Sequence, residues 1–103
     1  MTQTERITRM EKLLDEGAAA VAALSDALER YEVARDGLRT LARYYDGGAW
    51  RRDFEDDEAG RLPKELKRGV LSEDAVHNLL SEDHAIAVRM ADLLANILRD
   101  GRL

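Results

Sequence analysis

The sequence predicts an all-α protein: two long helices running antiparallel as a hairpin, short helices in the connector between them, and two such hairpins dimerising into a four-helix bundle. Three observations carry this expectation. Apolar residues recur at steps of three and four on both sides of the middle of the chain, and no stretch of strand length alternates with period two. Four of the five aromatic residues, Tyr44, Tyr45, Trp50 and Phe54, fall within eleven positions of a glycine-broken middle. Aromatic side chains bury the largest areas, and a connector that concentrates them is a built element and not slack linker.

The first helix is expected from about residue 4 to residue 45. Ile7, Met10, Leu14, Val21, Leu24, Leu28, Tyr31, Leu38 and Tyr45 alternate by threes and fours and so keep to one helix face. The other faces hold mostly Ala, Glu, Arg and Asp, and no proline occurs before Pro63. Gly17 and Gly37 are the weak points, each costing about 1 kcal/mol relative to Ala in a helix interior. Arg35 sits where the stripe calls for an apolar residue. A guanidinium reaching to water from the seam edge is the plainer reading, and a buried ion pair is the alternative.

The connector, residues 46–71, is punctuated by Gly47 with Gly48, by Gly60 and by Gly69. It reads as a turn, a short helix from Trp50 to Asp57, a turn, a second short helix from Pro63 to Lys67, and a last turn. Proline suits the first turn of such a helix. Trp50 and Phe54, four apart, share a helix face and are expected to close the end of the hairpin over Tyr45, Leu71 or Val76. The second long helix, about residues 73–99, opens on Ser72 as N-cap, with Glu73 and Asp74 placing negative charge in the first turn. Leu71 and Val76 have the spacing of a hydrophobic staple, and Gly101 offers a stop. Val76, Leu79, Leu80, Ile86, Ala87, Met90, Leu93, Leu94, Ile97 and Leu98 make a stripe wider than one seam requires, which implies more than one neighbour.

Self-association follows from lengths. At 1.5 Å per residue the first helix runs on the order of 60 Å and the second about 40 Å. A second helix returning beside the first ends its cover near Gly17 or Ala18, leaving Ile7, Met10, Leu13 and Leu14 without a partner in the same chain. A homodimer satisfies both excesses, with an interface including Ile7, Met10, Leu14, Met90, Leu94 and Ile97. The competing expectation is a break at Gly17 that folds the first turns back as a third helix of a compact monomer.

Composition narrows the function classes. A chain of 103 residues, 45% hydrophobic and 36% charged, fits a single helical domain, 1–103. Its net charge of −5 disfavours nucleic acid as a partner. The absence of cysteine removes disulfides, thiolate nucleophiles and thiolate metal sites. The first twelve residues are charged and lack a signal-like apolar core, and no run nears the roughly 20 apolar residues of a membrane span. A cytoplasmic protein with no membrane partner is expected.

Four groups of residues invite chemistry, and each has a plainer account. Asp53, Glu55, Asp56, Asp57 and Glu58 are oxygen-rich, but an EF-hand counted from Asp53 would need glycine and a carboxylate where Glu58 and Lys64 stand. A solvated acidic face is the simpler reading. His77 and His84 are separated by about 10.5 Å along one helix, too far to share a metal, so a mixed site with Glu73 or Asp83 would need an interface. Arg51, Arg52, Arg61, Lys64, Lys67 and Arg68 lie near Tyr44 and Trp50, a mixture that suits single-stranded nucleic acid, yet seven acidic residues share the connector and neutralise it. Ser72 precedes His77, but its hydroxyl is needed as a cap. No catalytic residue, metal site or cofactor is assigned.

The strings YY at 44 and 45, WRRDFE at 50–55 and LPKELKRGVLSED at 62–74, set between two amphipathic helices, resemble the small bacterial proteins grouped as domain of unknown function 4298. The likeness spans nearly the whole chain and implies a bacterial source. It brings no activity, substrate or site residue. The first reading of function is therefore an interaction module that dimerises and docks a protein partner. The second is a small-ligand or metal-binding domain using a connector surface of Tyr44, Trp50, Arg51, Asp53, Phe54, Lys67 and Arg68. An enzyme ranks third; bound metal or ligand would favour the second reading and an open apolar groove the first.

Overall fold

A computed structural model describes residues 1–101. It contains three α-helices, α1 (Gln3–Asp46), α2 (Gly48–Glu58) and α3 (Ala75–Arg99), with a single 3-10 turn at Gly69–Leu71. No strand occurs among the described residues. The all-α class and the order long helix, connector, long helix are as the sequence predicts. The chain forms two compact units, Met1–Gly37 and Leu38–Leu103.

The first unit is helix throughout after its opening residues. Thr2 begins it: the Thr2 hydroxyl accepts the Glu5 N–H at 3.1 Å and the Thr2 carbonyl accepts the Arg6 N–H at 2.9 Å, which satisfies donors that a helix start leaves orphaned. Helix continues through Gly17, so the compact three-helix monomer does not form. Along the surface, Lys12 pairs with Glu16 at 3.8 Å and Arg30 with Asp26 at 2.8 Å, each four residues apart. Such exposed pairs contribute about 0.3–0.5 kcal/mol each, which supports a helix but does not anchor one. Arg35 is half-buried: its guanidinium donates to the Tyr31 hydroxyl at 3.3 Å and lies 5.8 Å from the centroid of that ring, one helical turn earlier. No residue of α1 is buried.

The second unit holds the core. Among the described residues its buried apolar side chains are Leu71, 6% exposed, and Val76, 2% exposed, the pair spaced as a hydrophobic staple. Ser72 between them has extended backbone (φ −70, ψ 147), and its hydroxyl accepts the Ala75 N–H at 3.3 Å while donating to the Gly69 carbonyl at 2.9 Å. The Ser72 hydroxyl thus holds the start of the helix as expected, but α3 begins at Ala75 with Asp74 as its N-cap, so Glu73 and Asp74 precede its first turn and do not lie in it.

Glycine sets both ends of α2. At the α1–α2 corner, a Cβ on Gly47 would lie 3.2 Å from the Arg43 carbonyl oxygen, a contact a larger residue must push apart. Beyond the other end, Gly60 adopts φ +72. Its N–H bonds the Asp57 carbonyl at 3.0 Å, and the Arg61 N–H reaches back to the Asp56 carbonyl at 2.9 Å. This is the two-bond Schellman ending, which needs a left-handed residue.

One predicted element is absent. Residues 63–67 form a bend and turn, closed by the Leu66 N–H on the Pro63 carbonyl at 3.2 Å, and not a short helix. Helical structure appears instead at Gly69–Leu71, where a turn was expected. The Arg68 guanidinium ties the bend instead, donating to the Pro63, Lys64 and Leu66 oxygens at once.

Candidate functional site

The connector gathers the chemically distinctive side chains of the second unit. α2 presents Trp50 and Phe54 on one face, and their rings stack with centroids 5.2 Å apart and planes 16° from parallel. Tyr45, from the last turn of α1, meets the Trp50 ring edge-on at 5.1 Å. The Trp50 indole N–H donates to the Val70 carbonyl at 2.9 Å. Trp50 thus links the α1 end, α2 and the 3-10 turn, and both it and Phe54 are half-buried.

Arg68 performs the matching task on the polar side. Besides the three carbonyls of the 63–66 bend it pairs with Asp57 of α2, and that carboxylate is largely covered. A planar guanidinium with five donors can serve four acceptors; an ammonium cannot match that fork. The Arg61–Asp56 pair beside it, at 2.8 Å, stands more in solvent.

The same connector holds a cavity of about 330 Å³ lined by Tyr44, Asp53, Leu62, Leu66, Lys67, Val70 and Leu71. The Tyr44 hydroxyl donates to Asp53 Oδ2 at 2.6 Å, the length of a hydrogen bond to a charged carboxylate. Burial, the bond to Asp53 and the Asp53 charge, in that order, push the Tyr44 phenol up to about 12, so it stays a donor at neutral pH. Among the described residues Lys67 makes no hydrogen bond or ion pair.

The connector surface expected from the sequence therefore divides into three. Tyr44, Asp53 and Lys67 line the cavity. Trp50, Phe54 and Arg68 hold the connector together, as part of its architecture. Arg51 is exposed on α2. Leu62, Leu66 and Val70 are lining residues that the sequence reading did not select. Their signal was the apolar spacing 62, 66, 70 around Pro63, which the sequence reading did not use.

A model of the family described as domain of unknown function matches residues 7–93. The chain belongs to domain of unknown function 4298. No curated protein and no solved structure matches it. The matched span of this DUF4298 chain holds the whole connector cavity, together with Ile7, Met10, Leu14 and Met90. Leu94 and Ile97 of the expected dimer surface lie just beyond it.

That expected surface is open in both units of the DUF4298 chain. Ile7, Met10, Leu14, Met90, Leu94 and Ile97 are between 37% and 64% exposed. His77 and His84 lie on exposed positions of α3, and no three His, Asp or Glu side chains converge on a metal-sized site among the described residues. Among those residues no helix is long and apolar enough to cross a membrane.

Proposed function

We propose that this protein is a helical interaction module that works as a homodimer, its two copies joining the α1 and α3 faces in a four-helix bundle. The observation that carries the reading is the exposed heptad seam of α1. Ile7, Leu14, Val21 and Leu28 repeat every seven residues, as do Met10, Gly17, Leu24, Tyr31, Leu38 and Tyr45. Two interleaved seven-residue series are the pattern of a helix that winds about a partner. On a straight helix such a seam drifts by about 20° per heptad, so it can be covered along its length only by another supercoiled helix.

Energetics favour the same reading. Full burial of a Val, Leu, Ile or Met side chain contributes about 1.5–3 kcal/mol. Among the described residues the buried apolar side chains are Leu71 and Val76, while Ile7, Met10, Leu14, Val21, Leu24 and Leu28 of the α1 stripe and most of the α3 stripe are exposed. Ala18, Ala20, Ala27 and Ala34 flank the α1 seam with small side chains, which lets helices approach closely from either side. A second copy presents the same seams and completes a core through a two-fold axis without any further component.

The test is a double variant, Met10→Glu with Leu14→Glu, compared with Val33→Glu on a different face of α1. Light scattering after size exclusion should give twice the chain mass of 11.6 kDa for the wild type and Val33→Glu, and a single mass for the double variant. A double mass for all three removes the seam from the interface. The bacterial cytoplasm is the location that accompanies this proposal.

A further inference from the structure

The connector cavity carries an inference independent of self-association. A surface hollow of about 380 Å³ on α1 is lined by Thr4, Glu5, Thr8, Arg9 and Lys12, successive turns of a single helix, and has no opposing wall. The connector cavity is walled by the end of α1, by α2, by the 62–67 bend and by the 3-10 turn. At about 330 Å³ it falls at the small end of the range for ligand sites, a size for metabolites and not for polymers.

Its lining combines apolar and charged side chains. Leu71 is buried, whereas Leu66 and Val70 are exposed large apolar residues in the same wall and gain cover from any aliphatic body placed there. The cavity also offers one charge of each sign. Asp53 is oriented by the Tyr44 hydroxyl on Oδ2, leaving Oδ1 as an acceptor. Lys67 supplies an ammonium not engaged within the described chain. A lone anion meets Asp53 repulsion and a lone cation meets Lys67 repulsion, so the wall discriminates against both and favours a molecule that carries both charges.

We propose that this cavity binds a small zwitterion with an aliphatic body, an apolar amino acid of about leucine size, its ammonium on Asp53 and Tyr44, its carboxylate on Lys67 and its side chain between Leu66 and Val70. The binding groups act without covalent chemistry. Tyr44 fixes the Asp53 carboxylate before the ligand arrives, which spares the ordering that an unconstrained side chain would need.

Calorimetric titration of the full chain with L-leucine, 4-methylpentanoate and 3-methylbutylamine tests this, since the second lacks the ammonium and the third the carboxylate. L-leucine should bind with a dissociation constant between about 10 μM and 1 mM, the range open to a ligand of so few atoms. Each truncated probe should bind at least tenfold more weakly. Asp53→Asn should erase the preference for L-leucine over 4-methylpentanoate, and Lys67→Gln the preference over 3-methylbutylamine, with helical circular dichroism unchanged. Where either variant loses its fold, amide shift mapping on the wild type takes its place, and shifts should centre on Asp53, Lys67, Val70 and Leu71. Absence of L-leucine binding, equal binding of the three probes, or shifts centred on α1 or α3 overturns the proposal. Mass measured on the same samples keeps this outcome separate from that of the dimer, because the cavity is complete within one chain.

Discussion

Replacing Trp50 by alanine isolates the part of the fold that positions the cavity. The substitution removes a stacked contact with Phe54, an edge contact with Tyr45 and the indole N–H bond to Val70. Each aromatic contact contributes about 0.5–1.5 kcal/mol and the hydrogen bond about as much, giving a loss of about 3 kcal/mol. That lies at the lower edge of the about 3–5 kcal/mol seen for fully buried rings, as a half-buried position requires. Trp50→Phe keeps a ring for Phe54 and Tyr45 and loses the N–H, and should cost about 1 kcal/mol. Urea unfolding monitored by circular dichroism, at one fixed chain concentration because association shifts apparent stability, gives both values. On heating, the alanine variant should melt lower by about 12–24 °C. A Trp50→Ala midpoint equal to wild type would refute the reasoning, and equal losses in the two variants would place the whole contribution in the N–H bond.

The other expectations concern single ties. Val76→Ala should cost about 2 kcal/mol through lost burial and a residual cavity, while Val33→Ala, at a position 83% exposed, should be neutral or slightly stabilising in the same urea assay. Arg68→Ala should cost about 1–3 kcal/mol and Arg68→Lys should not rescue it, since four acceptors lose their shared donor; Arg61→Ala should fall below about 0.5 kcal/mol. The Tyr44 phenol is raised to about 12 in the folded chain against about 10 unfolded, so its contribution is complete below pH 10 and is lost as pH climbs toward 12. Stability measured across that window should fall less steeply in Tyr44→Phe than in wild type, and phenolate absorbance should lose its last-titrating step in the variant.

How much was legible in the sequence varies with how local the cause is. The staple of Leu71 and Val76, the Ser72 hydroxyl at the helix start and the shared face of Trp50 and Phe54 are fixed by spacings of three to five residues along one helix or its start, and all three are present. The helix expected at Pro63–Lys67 rested on Pro63 and on the glycines that punctuate the segment, Gly60 and Gly69. Five residues cannot offset the cost of nucleating a helix, and Arg68, following immediately, captures the Pro63 and Lys64 carbonyls instead. The sequence does not signal that capture, because it depends on Asp57 standing across the bend to fix the guanidinium. The Tyr44–Asp53 bond was equally hidden, since its nine-residue span crosses the Gly47 corner and its existence depends on the angle there. Both residues were picked as connector surface for their chemistry, and only the fold shows that they face one cavity. Val21, Leu24 and Leu28 of the α1 stripe are exposed, as are Ile7, Met10 and Leu14.

Sedimentation velocity of the wild-type chain across micromolar concentrations tests the central claim most directly. The heptad seam and the open faces of α1 and α3 call for a species of twice 11.6 kDa that persists on dilution. A single species of 11.6 kDa throughout that range would contradict it.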